Sequence, residues 1–327
     1  MGSMAFFGYH MPSYTFPGTR REDLFDQVAN LARSAETAGF ELVTVMDHFY
    51  QIAGIGPEEE PMLEGYTTLG ALARETRTVQ LATLVTGVTY RNPALVAKMV
   101  TTLDILSKGR ALCGIGAAWN ESEHIGYGFE FPPIRERMDR LDEALNIIKR
   151  MFTEERPSYA GSHYRIERAL NSPQPLQPGG PKILVGGGGE KRTLRLVARY
   201  ADMSHWFGAN PSDIKRKSEI LDRYCEEEGR DPKTITRTMG APVVLVGSEA
   251  QAKGVMERMP PERRVMFQPA TPEQAAEILQ DYIEIGIEGF TFGNPTLRTP
   301  EEFERARQLI TTIKSKAPTP SLLGRAG

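Results

Sequence analysis

Cysteine is scarce in this chain. Only Cys113 and Cys225 occur among 327 residues, far apart, so a disulfide-stapled secreted scaffold is excluded and a reducing, cytoplasmic setting is expected. Cys113 falls inside an apolar strand pattern, where a thiol serves as a small hydrophobe. No apolar run approaches the roughly 20 residues that span a bilayer. The opening MGSMAFFGYH has neither the basic start nor the long apolar stretch of a signal peptide. Charge of one sign is lacking too: 39 basic against 42 acidic residues leave a net −3, which favours neither nucleic acid nor an anionic membrane as partner. Metal-binding spacings such as HxxxH and HxH are absent, as is a GxSxG elbow, so no metal site and no serine nucleophile are expected. What remains is an enzyme-like composition whose partner is a small molecule.

The stretch from Leu81 to Glu121 organises the rest. Leu81–Val85 is a short apolar, β-branched run, as in a strand buried on both faces. Asn92-Pro93 starts a helix, with Asn as N-cap and Pro at the first helical position. Val96, Val100 and Leu103 fall on one helical face. A second buried strand runs from Ala111 to Gly116. The result is a βαβ unit whose strands end in Thr86-Gly87 and in Gly114, Gly116, Trp119 and Asn120. Small and polar residues at such tips mark the ligand side of an α/β fold.

The same unit repeats along the chain. Strands are expected at Phe6–Tyr9, Leu42–Met46, Leu81–Val85, Ala111–Gly116, Ile183–Val185, Asp202–Trp206, Pro242–Val246 and Phe290–Phe292, with helices between them. Eight alternations predict an α/β (β/α)8 TIM barrel over residues 4–316, with insertions at the C-terminal face, and a frayed tail at 317–327. The structural competitor is a doubly wound open sheet. Two insertions stand out, Trp119–Phe131 on the ligand side and Pro157–Pro178, which reads as a hairpin forming a lid or rim.

Barrel logic gathers the strand tips into one mouth. Gly186, Gly187, Gly188 and Gly189 after the fifth strand allow backbone N–H groups to approach a phosphate, the alternative being a plain tight turn. Lys191 and Arg192 just beyond either assist the phosphate or face solvent. Asp47-His48 at the second tip offers a histidine able to exchange a proton near neutral pH, or else a structural pair. Trp119 reads as pocket wall, and Asn120 as a rim donor and acceptor or a helix cap.

Here a resemblance emerges. MDHF at 46–49, TLVTGVTYRNP at 83–93, GIGAAWNE at 114–121 and the helix after FPPIRERMDRLDEAL resemble the luciferase-like monooxygenase superfamily, in particular its branch using the deazaflavin coenzyme F420. The likeness spans about Phe6 to Phe292. It implies a non-prolyl cis peptide at Thr83-Leu84 or within one residue, with Val85 and Thr86 beside the cofactor ring. It implies catalytic roles for Asp47 and His48 near the ring's reactive end, a cofactor contact at Asn120 and a phosphate loop at Gly186–Gly189. Sugar-phosphate dehydrogenases of that branch carry an acid between the strand-four glycines and the asparagine. Ala117 and Ala118 stand there instead, so their catalytic acid is expected to be missing and sugar-phosphate oxidation is disfavoured.

The sequence therefore predicts an F420-dependent oxidoreductase passing hydride to or from a small organic substrate. His48 would handle the proton, oriented by Asp47, in a pocket shaped by Tyr9, Tyr50, Trp119 and Trp206. An FMN-dependent monooxygenase is the nearest alternative. A cofactor-binding protein without turnover and a sugar-phosphate isomerase come next. By resemblance a homodimer is expected.

Overall fold

The structure, a computed structural model, describes residues 5–316 apart from Ala209, Pro260 and Val265. The frayed tail expected at 317–327 lies outside the described residues. Eight parallel strands form the barrel: β1 (Phe6–Met11), β2 (Leu42–Val45), β3 (Gln80–Thr83, resumed at Thr86–Gly87), β4 (Cys113–Gly116), β5 (Ile183–Gly186), β6 (Met203–Trp206), β7 (Thr236–Gly240) and β8 (Gly289–Gly293). Their spatial order is β3-β2-β1-β8-β7-β6-β5-β4. The ring closes where Leu81 bridges Ala111 and the Leu112 N–H donates to the Leu81 carbonyl at 2.9 Å. Each strand is followed by its helix: α1 (Leu24–Ala38), α2 (Gly65–Glu75), α3 (Pro93–Ser107), α4 (Ile134–Thr153), α5 (Thr193–Tyr200), α6 (Pro211–Glu227), α7 (Pro272–Glu284) and α8 (Pro300–Lys316). No helix among the described residues is long and apolar enough to cross a membrane.

Local chemistry sets these boundaries. Asn92 Oδ1 accepts the Ala94 N–H at 2.9 Å to start α3, with Pro93 inside the first turn. Thr271 and Gln274 form a reciprocal capping box on α7. Gly39 ends α1 at φ 94, a conformation that favours glycine.

Alternation along each strand separates two cores. Phe7, Tyr9, Met11, Val43, Val45, Cys113, Trp206 and Phe290 point outward into the layer beneath the helices. Phe6, Leu42, Ala82, Leu84, Leu112, Leu184 and Met203 point inward and plug the barrel. Cys113 is fully buried, and burial pushes its thiol up to about 12, so it packs as a hydrophobe. Above the apolar plug the interior turns polar, with Thr44, His205, Thr238 and Thr291 all buried.

One strand differs from expectation. The seventh barrel strand is Thr236–Gly240, whereas Val243–Leu245 pairs with Gln268–Ala270 in a separate two-stranded sheet. The sequence TRTMG carries one large apolar residue because its inward positions meet the polar layer, so it lacks the signal of a buried strand. The Pro157–Pro178 insertion does contain the expected hairpin, Tyr159–Ala160 with Arg165–Ile166. Its turn rests on α4, where Glu143 accepts the Ser162 and Tyr164 N–H groups at 2.7 and 2.9 Å.

A Cβ at Gly114 would lie 2.0 Å from the Thr83 carbonyl oxygen, a backbone atom that cannot swing aside. Gly114→Ala is therefore expected to lose at least the ~1–3 kcal/mol typical of overpacking. Denaturant unfolding checks this, and an unchanged midpoint would refute the contact.

Candidate active site at the barrel mouth

The mouth is built around an irregular turn in β3. The Leu84–Val85 peptide is cis, one bond beyond Thr83-Leu84 and within the expected range. Room for the turn comes from neighbouring glycines. A Cβ on Gly116 or Gly186 would stand 2.9 or 2.8 Å from a Val85 methyl. Beneath the turn, Thr83 Oγ1 donates to the Gly114 carbonyl at 3.1 Å and meets Thr86 Oγ1 at 2.8 Å, which meets the Tyr66 hydroxyl at 2.9 Å. Of the four residues expected at the ring, Thr83, Leu84 and Thr86 are thus buried. Val85 is half-buried at the mouth.

His48 follows β2 and keeps only 13% of its side chain exposed. Its partner is not the expected Asp47. Glu123, from the short helix Glu121–Tyr127, lies with Oε1 2.6 Å from His48 Nδ1 and is itself fully buried. The Tyr90 hydroxyl donates to the same oxygen, and the Phe49 N–H donates to Oε2 at 2.7 Å. Burial pushes the Glu123 carboxyl up, but the hydrogen bond and charge of His48, with the Tyr90 and Phe49 bonds, outweigh it and hold the group below its ordinary range. An ionised carboxylate only accepts, so His48 Nδ1 carries a proton and Nε2 is the nitrogen left for chemistry.

Asp47 serves a different partner. Both its oxygens receive the Arg91 guanidinium, at 2.6 and 2.9 Å, and Arg91 also donates to Glu64 at 2.6 Å. Burial pushes the Asp47 carboxyl up, and the Arg91 fork opposes that push. Asp47 therefore anchors the β2 tip to the loop after β3 rather than orienting His48.

The remaining expectations divide. Trp119 is 59% exposed and presents its ring edge-on to His48, with centroids 5.4 Å apart, so it stands at the rim. Asn120 occupies the N-cap of the short helix, where its Oδ1 accepts from Ser122 at 2.9 Å. Tyr50 packs on Tyr127, 5.6 Å between centroids, at the same rim. Tyr9 and Trp206 do not line the mouth. Tyr9 points outward, its hydroxyl donating to the Leu297 carbonyl at 2.7 Å, and Trp206 lies in the outer core. Both stand at odd positions relative to the inward residues His10 and His205, a parity set by strand register.

The glycine loop continues from the same platform. Gly186 ends β5 against Val85, and Gly187 takes φ 109. Lys217, on α6, reaches over the loop, with Nζ 3.0 Å from where a Gly188 Cβ would be. Arg192 instead faces α4, paired with Asp139 at 2.5 Å. Lys191 is exposed. Lys217 escaped the sequence reading because it lies on a helix with no motif that ties it to the mouth, and Glu123 escaped although it follows GIGAAWNE by two residues within the ligand-side insertion.

The mouth of the parallel barrel thus combines a glycine-lined platform with a buried His48–Glu123 pair, and comparison with known proteins places the fold. Residues 6–286 match the family described as luciferase-like monooxygenase. The chain belongs to that family. An F420-dependent glucose-6-phosphate dehydrogenase of Kineococcus radiotolerans is 36% identical over 231 residues, 69% of this chain and 66% of that protein. An F420-dependent secondary alcohol dehydrogenase, solved with an F420-acetone adduct, superposes with a TM-score of 0.78 at 20% identity, covering 95% of this chain and 99% of that one. A riboflavin lyase solved with modified FMN and riboflavin superposes with a TM-score of 0.78 at 16% identity, covering 96% and 92%.

Gly187→Val and Lys217→Ala are each expected to weaken binding of a phosphate-bearing flavin or deazaflavin by about tenfold or more, the former through a φ that a β-branched residue resists, the latter through a lost charge-assisted bond. Fluorescence titration of folded variants measures it. Wild-type affinity in both would remove the loop from the site.

Proposed function

We propose that this protein is an oxidoreductase using F420 to exchange hydride with a small organic substrate. The observation that carries the reading is His48, held at Nδ1 by the ionised Glu123 beside the Leu84–Val85 platform. The residues present fit a flat ring with a phosphate arm: glycines 114, 116 and 186 keep side chains away from the platform, and Lys217 stands over the glycine loop. Val85 and the backbone of its turn would support the ring, and Gly187, Gly188 and Lys217 would hold the phosphate. When bound, the deazaflavin supplies a ring carbon that gives or takes hydride. The F420-dependent names of a curated relative and a structural neighbour support this choice.

His48 handles the accompanying proton. In the oxidising direction, Nε2 removes the proton of a substrate hydroxyl while the carbon loses hydride, and Glu123 stabilises the resulting imidazolium. In the reducing direction, the imidazolium gives that proton to the oxygen of the carbon receiving hydride. Trp119 shields the site at the rim. The acid missing at Ala117 and Ala118 is thus replaced in part by Glu123, which acts through the imidazole rather than beside the substrate. Glucose-6-phosphate is not favoured as substrate on this account. FMN is the second reading, favoured by the riboflavin lyase likeness. Titrating the purified protein with F420 and with FMN decides between them, and tight binding of FMN alone would reject F420.

His48→Ala is expected to lower turnover about 10²–10⁴-fold with a much smaller effect on cofactor affinity, and His48→Asn should not restore it. Glu123→Gln should lower turnover less, about tenfold, through the imidazole's orientation. Single-turnover hydride transfer at saturating cofactor reads both. A wild-type rate in His48→Ala would end the acid–base role.

A further inference from the structure

His205 is a fully buried imidazole in the barrel interior with no task in the chemistry above. It sits near the carboxyl end of β6, with Nδ1 2.8 Å from Thr238 Oγ1 on β7. That hydroxyl in turn lies 2.8 Å from the Ser204 carbonyl oxygen. A carbonyl can only accept, so the single Thr238 hydroxyl proton goes to Ser204, and the threonine oxygen receives the Nδ1–H of His205. Burial, with the charge of His10, lowers the His205 pKa to about 3, so the ring is neutral and its one proton is on Nδ1. Nε2 is then a bare lone pair, buried and without a hydrogen-bond partner. Buried acceptors are nearly always satisfied, so this one calls for a donor from outside the chain.

The surroundings say where such a donor would come from. Gly240 lies two residues beyond Thr238 on the same inward face of β7, and a Cβ there would find no atom within 4 Å. Phe207 stands edge-on to His205 at 4.6 Å and is 54% exposed at the rim. His10, on β1, bonds through Nδ1 to Thr44 Oγ1 at 2.9 Å and is electrostatically coupled both to His48 and to His205. His10 thus stands within electrostatic reach of both His48 and His205 in the barrel interior.

We propose that His205 Nε2 is the acceptor of a substrate subsite on the β6–β7 side of the mouth, receiving a hydroxyl that the substrate carries in addition to its reacting carbon. The inference rests on the oxidoreductase reading and deepens it: the substrate is a hydroxylated ketone or the corresponding polyhydric alcohol, with one oxygen at His48 and another at His205. Gly240 leaves the room, Phe207 covers the ring, and the Thr238–Ser204 pair fixes the tautomer. A methyl ether, whose oxygen can only accept, has nothing to offer that lone pair.

Two measurements test this. Imidazole ¹⁵N NMR of the holoprotein reads the tautomer directly, and the Nδ1–H form is expected, with the Nε2 resonance moving when 4-hydroxycyclohexanone binds. Competition binding and reduction then compare 4-hydroxycyclohexanone with 4-methoxycyclohexanone. A site built to bond a hydroxyl rejects the analogue lacking it strongly, so a preference of about tenfold or more is expected in the wild type. His205→Leu should bring that preference near unity, and His205→Gln, whose amide oxygen still accepts, should recover part of it. An Nε2–H tautomer, no wild-type preference, or a preference that survives in His205→Leu would overturn the subsite, leaving Nε2 to a buried water. Failure of the wild type to reduce either probe with reduced F420 would instead count against the oxidoreductase reading, while the ¹⁵N spectrum and the two affinities still decide the subsite.

Discussion

The Thr83 carbonyl passes so close to β4 that no side chain fits at Gly114. That single approach governs the mouth. It lets β3 break after Thr83 and resume at Thr86, and it leaves the intervening turn nested between Gly116 and Gly186. Thr83, Thr86 and Tyr66 then close a hydrogen-bonded chain beneath the turn, so its polar backbone is supported from below. The outcome is a surface of backbone and one valine, suited to a flat ligand because nothing bulky projects from it.

Two carboxylates flank this surface, and their environments give them opposite tasks. Asp47 is buried against a bidentate guanidinium, an arrangement that fixes position and shields charge. Glu123 is equally buried, but its partner is an imidazole, whose charge can change. Breaking the first pair would strand a buried charge and loosen the β2 tip. The second pair engages Nδ1 of His48 and leaves Nε2 as its other nitrogen. Identical chemistry in the two side chains is thus divided by what each one meets.

The barrel interior supports the same division. Its lower layer is an apolar plug of Leu, Phe, Met and Ala side chains, and its upper layer holds threonines and two histidines. Burial keeps these histidines neutral, aided by the charge of His48 on His10 and of His10 on His205, with His10 lowered to about 4. Neutral rings with one fixed proton act as directional hydrogen-bonding groups rather than charges. On the proposed reading, the unpaired Nε2 of His205 selects ligands by where their donors lie.

The sequence by itself determined the barrel and pointed to the strand tips as the candidate site. Apolar runs of three to six residues, helix caps such as Asn92-Pro93 and the glycine tips are local signals, and each is set by chain conformation within a few residues. The platform near Leu84 and the loop at Gly186–Gly189 were legible because glycine and the TLVTG wording mark backbone behaviour directly. Tertiary structure decided the partners. Glu123 meets His48 across 75 residues of chain, and Arg91 takes Asp47 from 44 residues away. Lys217 joins the glycine loop from a separate helix. Tyr9 and Trp206 turned outward because strand register assigns alternate residues to opposite faces, which a residue type alone does not encode. The seventh strand was hidden for the related reason that its inward face meets a polar layer, so its sequence lacks the apolar run that a dry interior would require.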